Sequence, residues 1–159
     1  MTHFLVLLLA LLIGVVAGLR AFSAPAAVAW AAALQWINLD DTWASWMGHW
    51  ITVTLLTVLA VVELITDQLP KTPSRTVPLQ FGARIITGGL AGAALGTAWG
   101  YTFGGLGAGM IGAVIGTLGG YELRRRLSDR VGIDLPVALT EDVLAVAGGL
   151  SIAALTGVL

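Results

Sequence analysis

Cysteine is absent from the 159 residues, histidine occurs only twice and charged residues make up 11%. Each scarcity removes a class of function. Without cysteine there is no disulfide framework, no thiolate nucleophile and no Cys-ligated zinc site. With His3 and His49 alone, no His-rich metal site is expected, and no cofactor-binding pattern stands out. A net charge of -1 supplies no polybasic footprint for nucleic acid. The charge deficit itself says most. Soluble domains carry about 25% charged residues, and so few charges cannot coat a water-facing surface. What is there instead is 57% hydrophobic residues and a mean hydropathy of +0.91. The class this implies is an all-α integral membrane protein in a single polytopic domain over 1–159, with the lipid bilayer as its first partner.

A helix needs about 20 mostly apolar residues to cross a hydrocarbon core of about 30 Å. Six stretches qualify as candidates: 2–19, 21–38, 50–69, 82–101, 104–123 and 139–158. The second carries Pro25, which a helix tolerates best in its first turn or so. A single bent helix over 4–36 is the alternative, and it gives five spans. The first stretch lacks the basic n-region of a secretory leader, so it reads as a span.

All eight basic residues fall in three places: Arg20; Lys71, Arg75 and Arg84; and Arg124, Arg125, Arg126 and Arg130. Six spans put all three on one side, which the positive-inside rule makes cytoplasmic. Five spans would leave Arg20 in mid-helix. Trp36, Trp43, Trp46, Trp50, Trp99 and Tyr101 then collect at the outer interface, where amphipathic rings anchor. Trp30 reads as a packing residue within its span, and 39–49 as a short interfacial helix.

The spans pair as three hairpins with a partial internal repeat. TGGLAGAAL (87–95) matches AGGLSIAAL (147–155) at six of nine positions. Residues 82–120 hold 14 of the 21 glycines, recurring every fourth residue at Gly88, Gly92, Gly96, Gly100 and Gly104, then at Gly112, Gly116 and Gly120. Such spacing lines one helix face and lets two backbones approach closely. The seam it predicts lies within the chain or joins it to another copy or to a partner membrane helix.

Charges inside apolar boundaries cost roughly 2.5–3.5 kcal/mol each on insertion scales unless paired or hydrated. Glu63 follows a long apolar run, Asp67 lies one turn further on the same face, and Arg20, Arg84, Glu141 and Asp142 sit at neighbouring helix ends. The expected pairing sets Arg20, Arg84 and Lys71 against Glu63, Asp67 and Asp142. Thr140-Glu141-Asp142 reads as the N-cap and first turn of the last helix, and Arg124–Arg126 as the end of the fifth. The candidate substrate- or ion-binding residues are therefore Arg20, Glu63, Asp67, Arg84 and Asp142. No catalytic or metal-ligating set is assigned: the histidines lie at the opposite face from the acids, and GGLGAG (104–109) lacks the Lys-Ser/Thr of a phosphate loop.

The stretches GLRAF (18–22), ELITDQLPK (63–71), GARIITGGLAGA (82–93) and TEDVLAV (140–146) carry a resemblance. In that order they resemble the bacterial membrane family called domain of unknown function 4126. The resemblance implies a bacterial membrane location and singles out Arg20, Glu63, Asp67, Pro70, Arg84, Glu141 and Asp142. Gln68 and Ile85 depart from the family pattern, which has Lys and Pro there. It implies no activity.

Two functions fit. One is a small transporter or channel in the bacterial cytoplasmic membrane, with Glu63 titrating or binding a cation and Arg20 or Arg84 meeting an anion. The other is a structural or assembly protein whose charges lock its hairpins and whose glycine face holds a second copy or a partner helix. An enzyme is not expected.

Overall fold

The computed structural model describes residues 2–67, 76–132 and 134–158. Among them are six α-helices and no strand: α1 (His3–Leu19), α2 (Ser23–Ala33), α3 (Trp50–Thr66), α4 (Pro78–Thr97), α5 (Thr102–Val131) and α6 (Asp134–Val158). A 3₁₀ turn over Ser45–Gly48 precedes α3.

α5 and α6 are long and apolar enough to cross a membrane, while α1, α2 and α3 are shorter apolar helices. α1 and α3 begin where hydropathy predicts. The other four differ, each for a local reason. α2 is expected over 21–38 but stops at Ala33, about 16 Å long at 1.5 Å per residue. Gln35 adopts φ +58, Gln35 N–H donates to Ala32 and Trp36 N–H to Ala31. That is a Schellman C-cap with glutamine where glycine is usual, so no glycine announces it. α4 starts at Pro78, four residues before the predicted 82, because proline at the first helical position comes with its φ already set. α5 runs through Arg124–Arg130 and ends only at Gly132, φ +73, so the arginines lie within the helix. α6 starts at Asp134, so Thr140, Glu141 and Asp142 lie in its second and third turns and do not cap it.

α1 and α2 form a tight hairpin about residues 20–22. At the far end of α1, His3 stacks on Tyr101 with ring centroids 4.3 Å apart. At the far end of α2, Trp36 lies over Gly157, where a Cβ would come within 2.9 Å of its ring. Both helices thus return to the same end of the bundle, and a single bent helix over 4–36 is not formed. Trp43 belongs to that end too and donates its indole N–H to Thr97 at 2.9 Å. The described arginines gather at the opposite end, and the Trp43 end carries Asp40 and Asp41. Trp30, expected inside, is partly exposed on α2 and donates to Thr57 of α3 at 3.0 Å.

The core is built from small residues. α1, α4 and α5 pack closely together, and α6 packs mainly on α2 and α1. A Cβ on Gly92 would run into the carbonyl of Gly105, and one on Gly109 into that of Gly88. Gly112 and Gly116 press equally hard on the backbone of α1 at Leu11 and Val15. The glycine faces are therefore used inside the chain. Ile13, Ile37, Met47 and Leu95 are buried among many alanines and the two arginines Arg20 and Arg84, while α3, α5 and α6 also turn Leu55, Val58, Ile65, Ile111, Ile115 and Val143 outward. So many exposed large aliphatics exceed what a soluble bundle of this size shows to water.

Candidate functional site

A helical hairpin buried at its turn has a backbone problem. The last carbonyls of α1 and the amides of the turn that leads into α2 have no helical partner, and burial makes each unsatisfied group costly. Side chains from two other helices resolve it. Arg84 of α4 donates its Nη1 to the carbonyl oxygens of Gly18 (2.9 Å) and Leu19 (2.7 Å). Glu63 of α3 accepts from the amide of Ala21 on Oε1 (2.6 Å) and from that of Phe22 on Oε2 (2.8 Å). A cation thus meets the negative end of the α1 dipole and an anion the positive end of α2. Pro25, at the third helical position of α2, removes one donor that would otherwise need a partner. Thr117 of α5 adds a hydroxyl shared between Ala113 (2.8 Å) and Gly18 (3.3 Å).

Gly18 makes this geometry possible. A Cβ there would collide with the Ala113 carbonyl and the Thr117 amide, so only glycine lets the end of α1 lie flat on α5.

Arg20 occupies the turn itself and is fully buried. It donates its Nε to Asp142 of α6 at 2.6 Å, pairs with Asp142 again through Nη2, and pairs with Asp67 at the end of α3 through Nη1. Arg84 Nη2 lies 3.6 Å from Asp67 and 3.8 Å from Glu63. Asp67 therefore stands between the two guanidiniums. It is also the most open of the five side chains, at 16% exposed. Burying such pairs is costly, and the short contacts and backbone hydrogen bonds offset that cost.

All five residues singled out from the sequence, Arg20, Glu63, Asp67, Arg84 and Asp142, meet in this one cluster. They come from the turn, α3, α4 and α6, so the cluster ties four segments together. Two guanidiniums face three carboxylates. Glu141 does not join them; it points to Arg124 of α5 at 3.8 Å. Arg125 and Arg126 both pair with Glu122 on the surface of α5. Lys71, Arg75, Gln68 and Pro70 lie outside the described residues. Among the described residues no group of three or more His, Asp or Glu side chains is arranged to hold a metal ion.

The family described as Domain of unknown function (DUF4126) matches residues 7–157. The chain belongs to it. No curated protein and no solved structure matches the chain. The DUF4126 match spans every residue of the charged cluster, so the hairpin turn and its caps lie inside the family's own domain. What charge spacing in this DUF4126 chain does not reveal is the backbone half of the site: the carbonyls of Gly18 and Leu19 and the amides of Ala21 and Phe22. The signal for them is Arg20 itself, a charge between Gly18 and Pro25 that marks a turn.

Proposed function

We propose that this chain is a six-span protein of the bacterial cytoplasmic membrane that moves a small solute or ion, with the capped α1–α2 turn as its polar site. The carrying observation is that turn: irregular backbone buried in protein, held by Glu63 and Arg84, with Arg20, Asp67 and Asp142 around it. Within a bilayer, non-helical backbone is tolerated only where protein buries it or water lines it, and transporters place such helix ends at their binding sites. Several features support the membrane setting: two helices of spanning length, an outward face of large aliphatics, and described arginines confined to one end of the bundle, the other end carrying only Asp40 and Asp41. By the positive-inside rule that end faces the cytoplasm. Glu63 is then the proton- or cation-responsive group, Asp67 the point of entry, and Arg20 and Arg84 the counter-charges or anion contacts.

The test is a transport screen in proteoliposomes, stepping pH and a panel of small ions and metabolites. It reads capacitive current on a solid-supported membrane, and radiotracer or dye uptake for electroneutral exchange. A solute-dependent signal above protein-free vesicles supports the reading. Silence in both formats, from folded and inserted protein, overturns it.

A second reading has its own observation: each of the five charges has its partner within the chain. On that reading the cluster only locks helices together, and the protein serves in an assembly. Because the glycine seam is internal, a partner would meet the outward stripe of α3, Ile51, Leu55, Val58 and Ile65. Loss of stability without any transport to lose would favour this reading.

A further inference from the structure

α3 is held differently from its neighbours. α1, α4 and α5 meet backbone on backbone, where Gly92, Gly109, Gly112 and Gly116 leave no room for a Cβ. Among the described helices α3 packs closely on α2 alone, and otherwise on the 3₁₀ turn that precedes it. Of its 17 residues only Val53 and Ala60 are buried. α2 is mostly alanine, so it offers α3 no large ridges to interlock with. Among the described residues one hydrogen bond joins the two helices along the span, from the Trp30 indole to Thr57 at 3.0 Å. Lipid is as apolar as leucine, so helices in a bilayer are held by packing and hydrogen bonds. The hold on α3 is therefore concentrated at its ends. At one end the 3₁₀ turn anchors it through the buried Met47. At the other, Glu63 accepts from the amides of Ala21 and Phe22, and Asp67 pairs with Arg20 and Arg84.

The partners of those two acids are secured without them. Arg20 keeps Asp142 of α6, and Arg84 keeps the carbonyls of Gly18 and Leu19. When the acids withdraw, the amides of Ala21 and Phe22 lose their acceptor, and the gap that α3 leaves admits water to them. The outward Leu55, Val58 and Ile65 lose nothing, because they face away from the bundle in either position. We propose that α3 is the gate of the charged turn, a lever that pivots on the 3₁₀ turn and is latched by Glu63 and Asp67. The latch opens when these acids are neutralised by a proton or a bound cation. Neutralisation weakens contacts made only while α3 is closed, so it shifts the balance toward the open position. The lever is about 25 Å long at 1.5 Å per residue. Small changes at the latch are thus amplified into movement of one packed element past a fixed core.

This gate rests on the reading of the capped turn as the polar site of a membrane protein; its test reads movement, not transport. The chain has no cysteine, so spin labels can be placed on introduced pairs at exposed positions. Pulsed electron double resonance then measures their separation in nanodiscs, with unlabelled chain in excess. Ile65→Cys with Leu118→Cys spans α3 to α5, and Ile86→Cys with Phe103→Cys stays within α4 and α5 as the reference. Glu63→Gln combined with Asp67→Asn should add a second α3–α5 distance, displaced by about 5 Å, as a lever of about 25 Å gives on a tilt of about 12°. The reference distance should not change. Asp67→Asn alone leaves Glu63 and Arg84 capping the turn and should populate the same second distance to a smaller extent. It decides the matter where the double variant does not fold. An α3–α5 distance unchanged in the folded variants overturns the gate. So does a reference distance that shifts as much, because the bundle would then be loosening as a whole. Movement without transport sinks the transport reading alone, and transport with α3 fixed sinks the gate alone.

Discussion

Glu63 and Arg84 hold opposite sides of the same hairpin turn, one carboxylate on the amides of Ala21 and Phe22 that lead into α2 and one guanidinium on the carbonyls that end α1, and their own charged groups come within 3.8 Å. Each therefore acts on backbone as well as on charge. Substitutions that preserve charge balance but not hydrogen-bonding geometry should be as damaging as those that do the reverse.

Glu63→Ala strands two buried amides. Each unsatisfied donor costs about 1–3 kcal/mol, so the variant should lose several kcal/mol. Glu63→Gln keeps one carbonyl oxygen in place but turns its NH2 toward the other amide, so it strands one donor and should lose about 1–3 kcal/mol. Thermal unfolding in detergent orders them: wild type, Gln, then Ala well below. Equal stability of the Ala variant and the wild type would remove the capping role.

Arg20 bridges Asp67 and Asp142 with no exposure to solvent. Arg20→Met leaves two acids facing each other around an uncompensated hole, and breaking a buried pair costs about 3–5 kcal/mol. Adding Asp142→Asn should recover part of that loss. A double-mutant cycle should show coupling of at least about 1 kcal/mol, because the residues are in contact. Simple additivity would contradict the direct pairing.

The glycines divide by environment. Gly92→Ala and Gly109→Ala drive a Cβ into facing carbonyls and should cost about 1–3 kcal/mol or more, because backbone cannot step aside. Gly107→Ala and Gly119→Ala meet open space and should be neutral or stabilising by up to about 1 kcal/mol, the helix-propensity gain. Expression level and unfolding temperature of the four variants suffice to check this.

Topology has a clean assay because the chain has no cysteine. Single cysteines at Ser45 and at Arg130 should label from opposite sides of a sealed membrane, with Arg130→Cys reached only from the cytoplasmic side. Labelling of both from one side would overturn the six-span arrangement.

The charged site was more legible in the sequence than the helices that carry it. A buried ion has few solutions, so Arg20, Glu63, Asp67, Arg84 and Asp142 could be expected to meet from their common depth alone. Helix limits had weaker signals. The end of α2 is a Schellman cap on Gln35, invisible without a glycine. The extension of α5 through four arginines defeats any reading that equates charge with a helix end, because Arg125 and Arg126 are carried on the surface by Glu122 one turn back. The early start of α6 demotes Thr140-Glu141-Asp142 from a cap to mid-helix, leaving Glu141 for Arg124 and Asp142 for Arg20. The glycine spacing pointed to a close-packed face, but its partners could come only from packing: α4 meets that face of α5 at Gly105 and Gly109 and α1 meets it at Gly112 and Gly116.

The decisive measurement compares wild type with Glu63→Gln, both folded and inserted in the same orientation, in the proteoliposome transport assay. If the capped turn is the transport site, the wild type gives a solute- or proton-dependent signal that Glu63→Gln abolishes or reduces at least about tenfold, a barrier change of about 1.4 kcal/mol. An equal signal from both proteins would contradict the site, and no signal from either would leave the cluster as a structural lock.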